Sequence, residues 1–399
     1  MNNIKEVDVL VIGAGPAGSM AASESSKNGA KTLIIEKKSE IGTPKRCAEG
    51  ITLNELKKNE IDIDERWVAK YIEGVKIVSP DNTDVTLNTK DLDVPARGVI
   101  LERKIFDKHL TMEAIRNGAE VMVKTQATNM VKDEDGYLVS IKGLDKEITH
   151  IKAKIVIGAD GPESHVGGWA GLNTTVKFSE MDSGAQYEMV NLNLPYDGDL
   201  IEFYFGSVAP GGYAWIFPKG KDVANVGIDV SNARTDKSAI EHLNEFVANC
   251  EETKNGQIVE INVGGNPFCG VFDKIVTDNV LLVGDAAGCI NPVTGGGIEL
   301  AIQSGKAAGT IAAKAIKEKN YSEERLNEYS DYIDETIRKK CNKLIGVRDF
   351  VYSLNDEEFN KFAKALNDAN LKEISYTSLI KPLIKVSPKK LFKLRKVLF

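Results

Sequence analysis

Three apolar runs, each entering a glycine turn, predict an α/β protein with a discontinuous nucleotide-binding domain. The first is Val7-Asp8-Val9-Leu10-Val11-Ile12 before Gly13-Ala14-Gly15-Pro16-Ala17-Gly18. The second is Ile155-Val156-Ile157 before Gly158-Ala159-Asp160-Gly161, and the third is Val280-Leu281-Leu282-Val283 before Gly284-Asp285. Strands buried on both faces of a parallel sheet read as continuous apolar runs of this kind. Between the second and third runs the pattern changes to alternation, at residues 200–205, 213–217 and 223–230. That period marks half-buried antiparallel strands. The expected organisation is a Rossmann-like domain at 1–70, 96–175 and 276–345, an inserted antiparallel β-sheet domain at 71–95 and 176–275, and a helical C-terminal region at 346–399.

The opening element has the chemistry of a dinucleotide site. Gly13 permits the tight turn, Gly15 lets backbone approach a pyrophosphate, and Gly18 lets the helix pack close to the sheet. Ala17 lies in the same turn. The helix start offers amides and a partial positive charge to phosphates. A second strand, residues 31–35, ends in Glu36, an acceptor for ribose hydroxyls. The alternative is a purely structural turn.

Bulk composition excludes several classes. The 399 residues are 42% hydrophobic and 27% charged, as in a water-soluble multidomain protein. A net charge of −7 argues against nucleic acid as a partner. No secretory leader and no apolar stretch of spanning length is expected. The five cysteines, Cys47, Cys250, Cys269, Cys289 and Cys341, lack metal or cluster spacing. No metal site is expected, and a reducing cytoplasm suits the thiols.

Residues 41–50, Ile-Gly-Thr-Pro-Lys-Arg-Cys-Ala-Glu-Gly, form a loop leaving the second strand. Cys47 stands beside Lys45 and Arg46, which can lower a thiol pKa; the bland alternative is an ordinary loop cysteine. Residues 51–70 read as a charged helix, and 75–78 with 84–87 as a strand pair. A helix opens near Arg103 and stops before Gly118. A strand at 120–124 and an alternating pair at 137–142 and 148–151 predict a small β-meander. Asp160 can cap the segment that follows it or orient a phosphate. Tyr213, Trp215 and Phe217 share one face at period two, as core or as an aromatic wall.

Asp285 is placed to bind a ribityl or ribose hydroxyl. Pro292-Val293-Thr294-Gly295-Gly296-Gly297-Ile298 leads into a long helix, whose first amides can face a flavin ring. Helices are expected from Ser322 to about 375. Residues 381–399 carry seven bases and no acid, leaving 44 basic against 58 acidic residues in the remainder. Leu391, Leu394 and Leu398 form an apolar stripe there. A basic amphipathic end reads as membrane-surface binding, or as a helix packed on the body with solvated lysines.

These motifs, in this order, resemble the aromatic-hydroxylase type of FAD enzyme, and within it the geranylgeranyl reductases. The narrower likeness rests on Arg46-Cys47-Ala48-Glu49-Gly50, on Tyr213-Ala214-Trp215-Ile216-Phe217-Pro218, and on residues 292–297. The resemblance implies FAD as cofactor. It implies contacts from Gly13, Gly15, Ala17, Gly18, Glu36, Cys47, Ala48, Gly50, Arg103, Ala127, Asp160, Asp285, Gly297 and Ile298. It also implies reduction of the isoprenoid double bonds of a prenylated glycerophospholipid, digeranylgeranylglycerophospholipid in the archaeal branch.

An isolated alkene accepts hydride poorly, so protonation with hydride from reduced flavin is the expected route. Cys47 and Tyr213 are the acid candidates, and Tyr213, Trp215 and Phe217 the candidate substrate wall. With one GxGxxG, the electron donor is external: a ferredoxin-like protein, reduced deazaflavin or NAD(P)H. A cytoplasmic enzyme held peripherally at the membrane is expected. The rival readings are a flavin monooxygenase of an aromatic or prenyl substrate, and a non-catalytic flavin- or lipid-binding protein.

Overall fold

The computed structural model describes residues 3–88, 98–145 and 147–369, together with Val386. The chain divides into two compact units. The first is Met1–Thr43, Arg103–Val176 and Pro267–Asn342; the second is Pro44–Glu102, Lys177–Asn266 and Lys343–Phe399.

The first unit is built on a sheet in the order Val276–Thr277, Val280–Leu282, Ile148–Gly158, Asn3–Ile12, Thr32–Ile35, Glu120–Met122. All strands from Val280–Leu282 onward run parallel. Val9, Leu10, Val11, Leu33, Ile34, Ile155, Val156 and Ile157 are fully buried, as their unbroken apolar runs require. Ile148–Gly158 is one long strand. It pairs in parallel with Asn3–Ile12 and antiparallel with Gly136–Lys142, so the expected pair at 137–142 and 148–151 is continuous with the main sheet, while the strand expected with them at 120–124 is instead that sheet's parallel edge beside Thr32–Ile35. Gln126–Asp133 completes that meander.

Two helices pack unusually close in this unit. A Cβ on Gly305 or Gly309 would stand 2.1 or 2.2 Å from the carbonyl oxygens of Ala17 or Ala21. Glycine at these two positions allows Ile298–Glu318 to lie so near the backbone of Pro16–Lys27. Ala17 thus serves packing as well as the phosphate turn.

The second unit carries a seven-stranded sheet: Gln257–Pro267, Met181–Val190, Val223–Ser231, Tyr213–Pro218, Leu200–Tyr204, Gly74–Val78, Asp84–Asn88. It is not wholly antiparallel, because Leu200–Tyr204 and Gly74–Val78 run parallel. One face, with Ala185, Tyr187, Ala214, Ile216, Val226 and Ile228, packs under helix Ala239–Asn249.

Three expectations are corrected here. Residues 51–70 are not one helix; they hold strand Gly50–Thr52, the short helix Leu53–Lys58 and strand Val68–Ile72. Trp67, wholly buried, and the β-favouring Val68-Ala69-Lys70-Tyr71-Ile72 outweigh the charged helical pattern before them. Gly50–Thr52 and Val68–Ile72 both pair with Gly98–Leu101, which draws residues 44–70 and 98–102 into the second unit rather than the first. Nor do residues 346–369 stand apart. Phe359 stacks on Phe205 at 5.8 Å, and Ala363 and Leu366 pack with Val85 and Leu87. The basic stretch at 381–399 lies outside the described residues, Val386 excepted.

Candidate functional site

In the first unit the predicted cofactor residues gather at the carboxyl edge of adjacent parallel strands. Backbone bonds tie that edge together: Gly13 N–H donates to Ile35 at 2.9 Å, Ala159 N–H to Ile12 at 2.9 Å, and Val283 N–H to Gly158 at 3.0 Å. Gly13 has φ +108°, and a Cβ there would strike the Ala159 carbonyl at 2.2 Å. A Cβ on Gly18 would strike the Gly13 carbonyl at 1.9 Å. Gly15 differs: among the described residues nothing beyond its own chain neighbours lies within 4 Å of where its Cβ would be, so the backbone there is open to a ligand. The helix it begins has no side-chain cap.

The Glu36 carboxylate is held by two amides, Ala14 N–H at 3.0 Å and Lys38 N–H at 2.9 Å, and retains lone pairs for ribose hydroxyls. Ala127 lies in strand Gln126–Asp133, two residues past Thr125, whose amide donates to the Glu36 carbonyl at 2.8 Å. Of the two roles weighed for Asp160, the structure shows the cap. Its oxygens accept from Ser164 Oγ at 2.7 Å, His165 N–H at 2.7 Å and Val166 N–H at 3.1 Å.

Asp285 sits in the turn Gly284–Ala287. Its carboxylate accepts no hydrogen bond among the described residues, an acceptor waiting for a donor. Burial pushes its pKa up to about 6, opposed by the guanidinium of Arg103. Arg103 itself grips Asp107 at 2.7 and 2.8 Å. Asn291 shapes the glycine loop: its Oδ1 accepts from Val293 N–H at 3.0 Å and Thr294 N–H at 3.2 Å. Helix Ile298–Glu318 then starts at Gly297 with no side-chain cap. A Cβ on Gly297 would come within 3.3 Å of Asp285 Oδ1, so glycine keeps that carboxylate accessible.

The second unit presents the aromatic strand on the sheet face opposite helix Ala239–Asn249. Trp215 and Phe217 are buried, as the core reading expects; Tyr213 stays partly exposed. The Trp215 indole lies over Gly227, where a Cβ would be 2.2 Å from the ring, and donates to Gln186 Oε1 at 3.1 Å. Phe203 contacts both Tyr213 and Phe217 edge-on at 5.3 and 5.4 Å. Gly50 is required by Phe217, whose ring would be 2.8 Å from its Cβ. Ala48 packs against the same aromatic cluster.

The Cys47 loop is fastened to this face by a buried ionic network. Glu49, with no exposed side chain and φ +74°, meets Lys219 at 3.0 Å, Lys45 at 3.3 Å and Asn225 Nδ2 at 2.7 Å. Glu188 pairs with Lys45 and with Lys219 at 3.2 Å, and Glu102 with Lys219 at 2.8 Å. Burial opposes the Lys219 charge, yet Glu49, Glu102 and Glu188 hold its ammonium above the usual lysine range. The Lys45 ammonium is therefore committed to carboxylates. Cys47 Sγ accepts the Glu49 amide at 3.2 Å, and its carbonyl accepts Gln186 Nε2 at 3.0 Å. Burial, then Asp229, then Cys47 push the Tyr213 phenol up. Gln186, Glu188, Lys219, Asn225 and Asp229 escaped the sequence reading, in which Lys45 is only a neighbour of the Cys47 thiol and Glu49 only part of the loop motif. The alternation Asn225, Gly227, Asp229 between apolar residues was the available signal.

All five cysteines are free thiols, and among the described residues no group of His, Cys, Asp and Glu could hold a metal ion. No helix among them is long and apolar enough to cross a membrane.

Residues 8–200 match the FAD dependent oxidoreductase family, and residues 180–266 match the geranylgeranyl reductase catalytic domain. Fold, cradle and these matches define an FAD-dependent oxidoreductase. Open backbone at Gly15, the held carboxylate of Glu36 and the unbonded one of Asp285 fit pyrophosphate, ribose and polyol of FAD in turn. The chain is 63% identical to digeranylgeranylglycerophospholipid reductase 3 of Methanosphaera stadtmanae, over 99% of this chain and 100% of that one. It is 50% identical to digeranylgeranylglycerophospholipid reductase 1 of Methanothermobacter thermautotrophicus, over 99% of each. It belongs to the digeranylgeranylglycerophospholipid reductases of the geranylgeranyl reductase family. The crystal structure of a geranylgeranyl bacteriochlorophyll reductase-like protein from Thermoplasma acidophilum shares its fold, with a TM-score of 0.93 at 34% identity over 99% of this chain and 100% of that one.

Proposed function

We propose that this chain saturates the isoprenoid double bonds of digeranylgeranylglycerophospholipid, with FAD as the electron carrier. The observation that carries this reading is the 63% identity over nearly the whole chain to a reductase of that name. The cradle residues Gly13, Gly15, Ala17, Gly18, Glu36, Arg103, Ala127, Asp285, Gly297 and Ile298 hold the cofactor. Bound FAD, once reduced, supplies hydride. Cys47, Ala48 and Gly50 line the substrate side, with Tyr213, Trp215 and Phe217 as the wall along which a prenyl chain lies.

A trisubstituted alkene offers no carbonyl to stabilise a carbanion, so the protein must supply a proton. Cys47 and Tyr213 are the groups for that step. The rigid aromatic wall orients the chain and excludes water. Electrons come from an external donor, a ferredoxin-like protein, reduced deazaflavin or NAD(P)H. The basic stretch at 381–399 meets the headgroup and holds a cytoplasmic enzyme at the membrane surface. Mass spectrometry of the unsaturated ether lipid after incubation with chemically reduced holoenzyme tests the reading. A gain of two hydrogens per double bond is expected. An oxygenated product would make it a monooxygenase, and an unchanged lipid would leave a binding protein.

A further inference from the structure

The seven-stranded sheet of the second unit treats its two edges differently. At one edge, strand Asp84–Asn88 is covered: Val85 and Leu87 pack with Ala363 and Leu366 of helix Asp356–Asp368, and Asn367 Nδ2 donates to the Asp84 carbonyl at 2.9 Å. The other edge is strand Gln257–Pro267, eleven residues long, and among the described residues no strand pairs with its outer side. Asn266 Nδ2 donates to Asp229, which stands opposite Tyr213. Glu260 meets Lys45 at 3.9 Å and accepts from Asn262 Nδ2 at 2.8 Å. The even positions thus turn to the aromatic face, and the odd ones to the face under helix Ala239–Asn249. There Val259, Ile261 and Val263 are 61%, 59% and 58% exposed; Ile258, on the even side, is 46% exposed.

A single exposed aliphatic residue needs no partner, but a row of them along a sheet edge invites one. Proteins defend such an edge with lysine, proline, a bulge or a covering element. From Gln257 to Asn266 there is no lysine, arginine or proline, and the one acid, Glu260, is turned inward to Lys45. A bilayer would suit these side chains but not the backbone, because the outward amides and carbonyls of an edge strand go unpaired in hydrocarbon. Another strand satisfies both. This strand is complementary to itself. In an antiparallel pair centred on Ile261, Ile261 faces its own copy and Val259 faces Val263 of the second copy, all on one face of the sheet. On the other face Glu260 stands opposite Asn262, so no like charges meet. Centring the pair on Glu260 would set that acid against itself, and centring it on Asn262 would leave Val259 opposite Gly265.

We propose that strand Gln257–Pro267 pairs edge to edge with the same strand of a second copy of this chain, joining their seven-stranded sheets into one continuous sheet. The contact is closed, because the two-fold axis at Ile261 uses the same edge of both chains. The far edge at Asp84–Asn88 lies under its own helix, so the joined sheet stops at two chains. This pairing is independent of the chemistry assigned under Proposed function.

Sedimentation equilibrium of the flavin-loaded full chain, from about 1 to 100 µM, reads the association directly. A mass rising to twice that of one chain is the expected result. Ile261→Lys sets two ammonium groups against each other and should raise the dissociation constant ~100-fold or more, while the flavin spectrum and circular dichroism hold. Ile261→Cys is the gentler variant and decides the matter if Ile261→Lys does not fold. Opposed Cβ atoms about 5 Å apart should let oxidised glutathione join it into a covalent dimer. Ile105→Cys, 44% exposed on a helix of the first unit, should not cross-link. A chain that stays monomeric throughout overturns the proposal. So does an Ile261→Lys protein that dimerises as before, or an Ile261→Cys protein that cross-links no more than Ile105→Cys. Flotation with ether-phospholipid vesicles separates the other occupant: a monomer that binds them and loses that binding in Ile261→Lys gives the strand to a membrane, and overturns the pairing.

Discussion

Replacing Asp285 by Asn should stabilise the cofactor-free protein and weaken its hold on FAD. Burial raises this carboxyl from 3.8 to about 6. A shift near two units corresponds to about 3 kcal/mol if the site were fully dry, and partial exposure reduces that to about 1–3 kcal/mol. The sign follows from the direction. A folded-state pKa above the unfolded one means the folded state binds more protons between the two. Its contribution is whole below about pH 4 and lost as pH rises through 6. Asn carries no such penalty, so at pH 7 the apoprotein of Asp285→Asn should resist urea better by about 1–3 kcal/mol, and the two proteins should converge near pH 4. FAD binding should move the other way. Loss of a charged acceptor for a polyol hydroxyl weakens binding by about 1.5–3 kcal/mol, or roughly 10- to 150-fold. Urea unfolding of apoprotein at several pH values and a flavin fluorescence titration measure the two halves. Equal stability at pH 7 with undiminished FAD affinity would refute the placement of Asp285 against the cofactor.

Gly305→Leu should separate two helices of the first unit. The added Cβ needs 3.4 Å from the Ala17 carbonyl where 2.1 Å is available, so the helices must part by more than 1 Å. A loss of about 3 kcal/mol or more in urea and weaker FAD retention are expected; unchanged values would mean the helices are not so close. Lys219→Met leaves Glu49 buried with Lys45 and Asn225 alone, and should cost roughly 3 kcal/mol in denaturant unfolding. A neutral result would show that the network does not fasten the Cys47 loop. Cys47→Ser should slow single-turnover lipid reduction ~10-fold or more with FAD still bound, and an unchanged rate would remove Cys47 from the proton path.

The nucleotide unit was largely legible because its demands are local. A parallel strand, a glycine that clears a carbonyl and an acid at the next strand end are each written within a few residues. Gly13, Gly18 and Glu36 are of this kind, and so is the Ser322 cap, which accepts Arg325 N–H at 3.3 Å. The double role of Ile148–Gly158 was harder to see, because its alternating half and its apolar half read as separate strands. The ionic network was not legible. Lys45, Glu49 and Lys219 look like loop and turn charges, and only tertiary pairing makes them interior groups. Asp160 shows the limit from another side: a strand-end acid beside glycine suits a phosphate or a helix cap equally, and the cap becomes visible only with the amides of His165 and Val166 in place. The aromatic strand was read on the right face, but the polar face of Val223–Ser231 beside it went unread.

The most direct measurement mixes reduced, oxygen-free holoenzyme with digeranylgeranylglycerophospholipid and follows the flavin absorbance. Return of the oxidised spectrum with the unsaturated lipid, and none with its fully saturated counterpart, is the expected result. A flavin that stays reduced until oxygen is admitted would contradict alkene reduction by this protein.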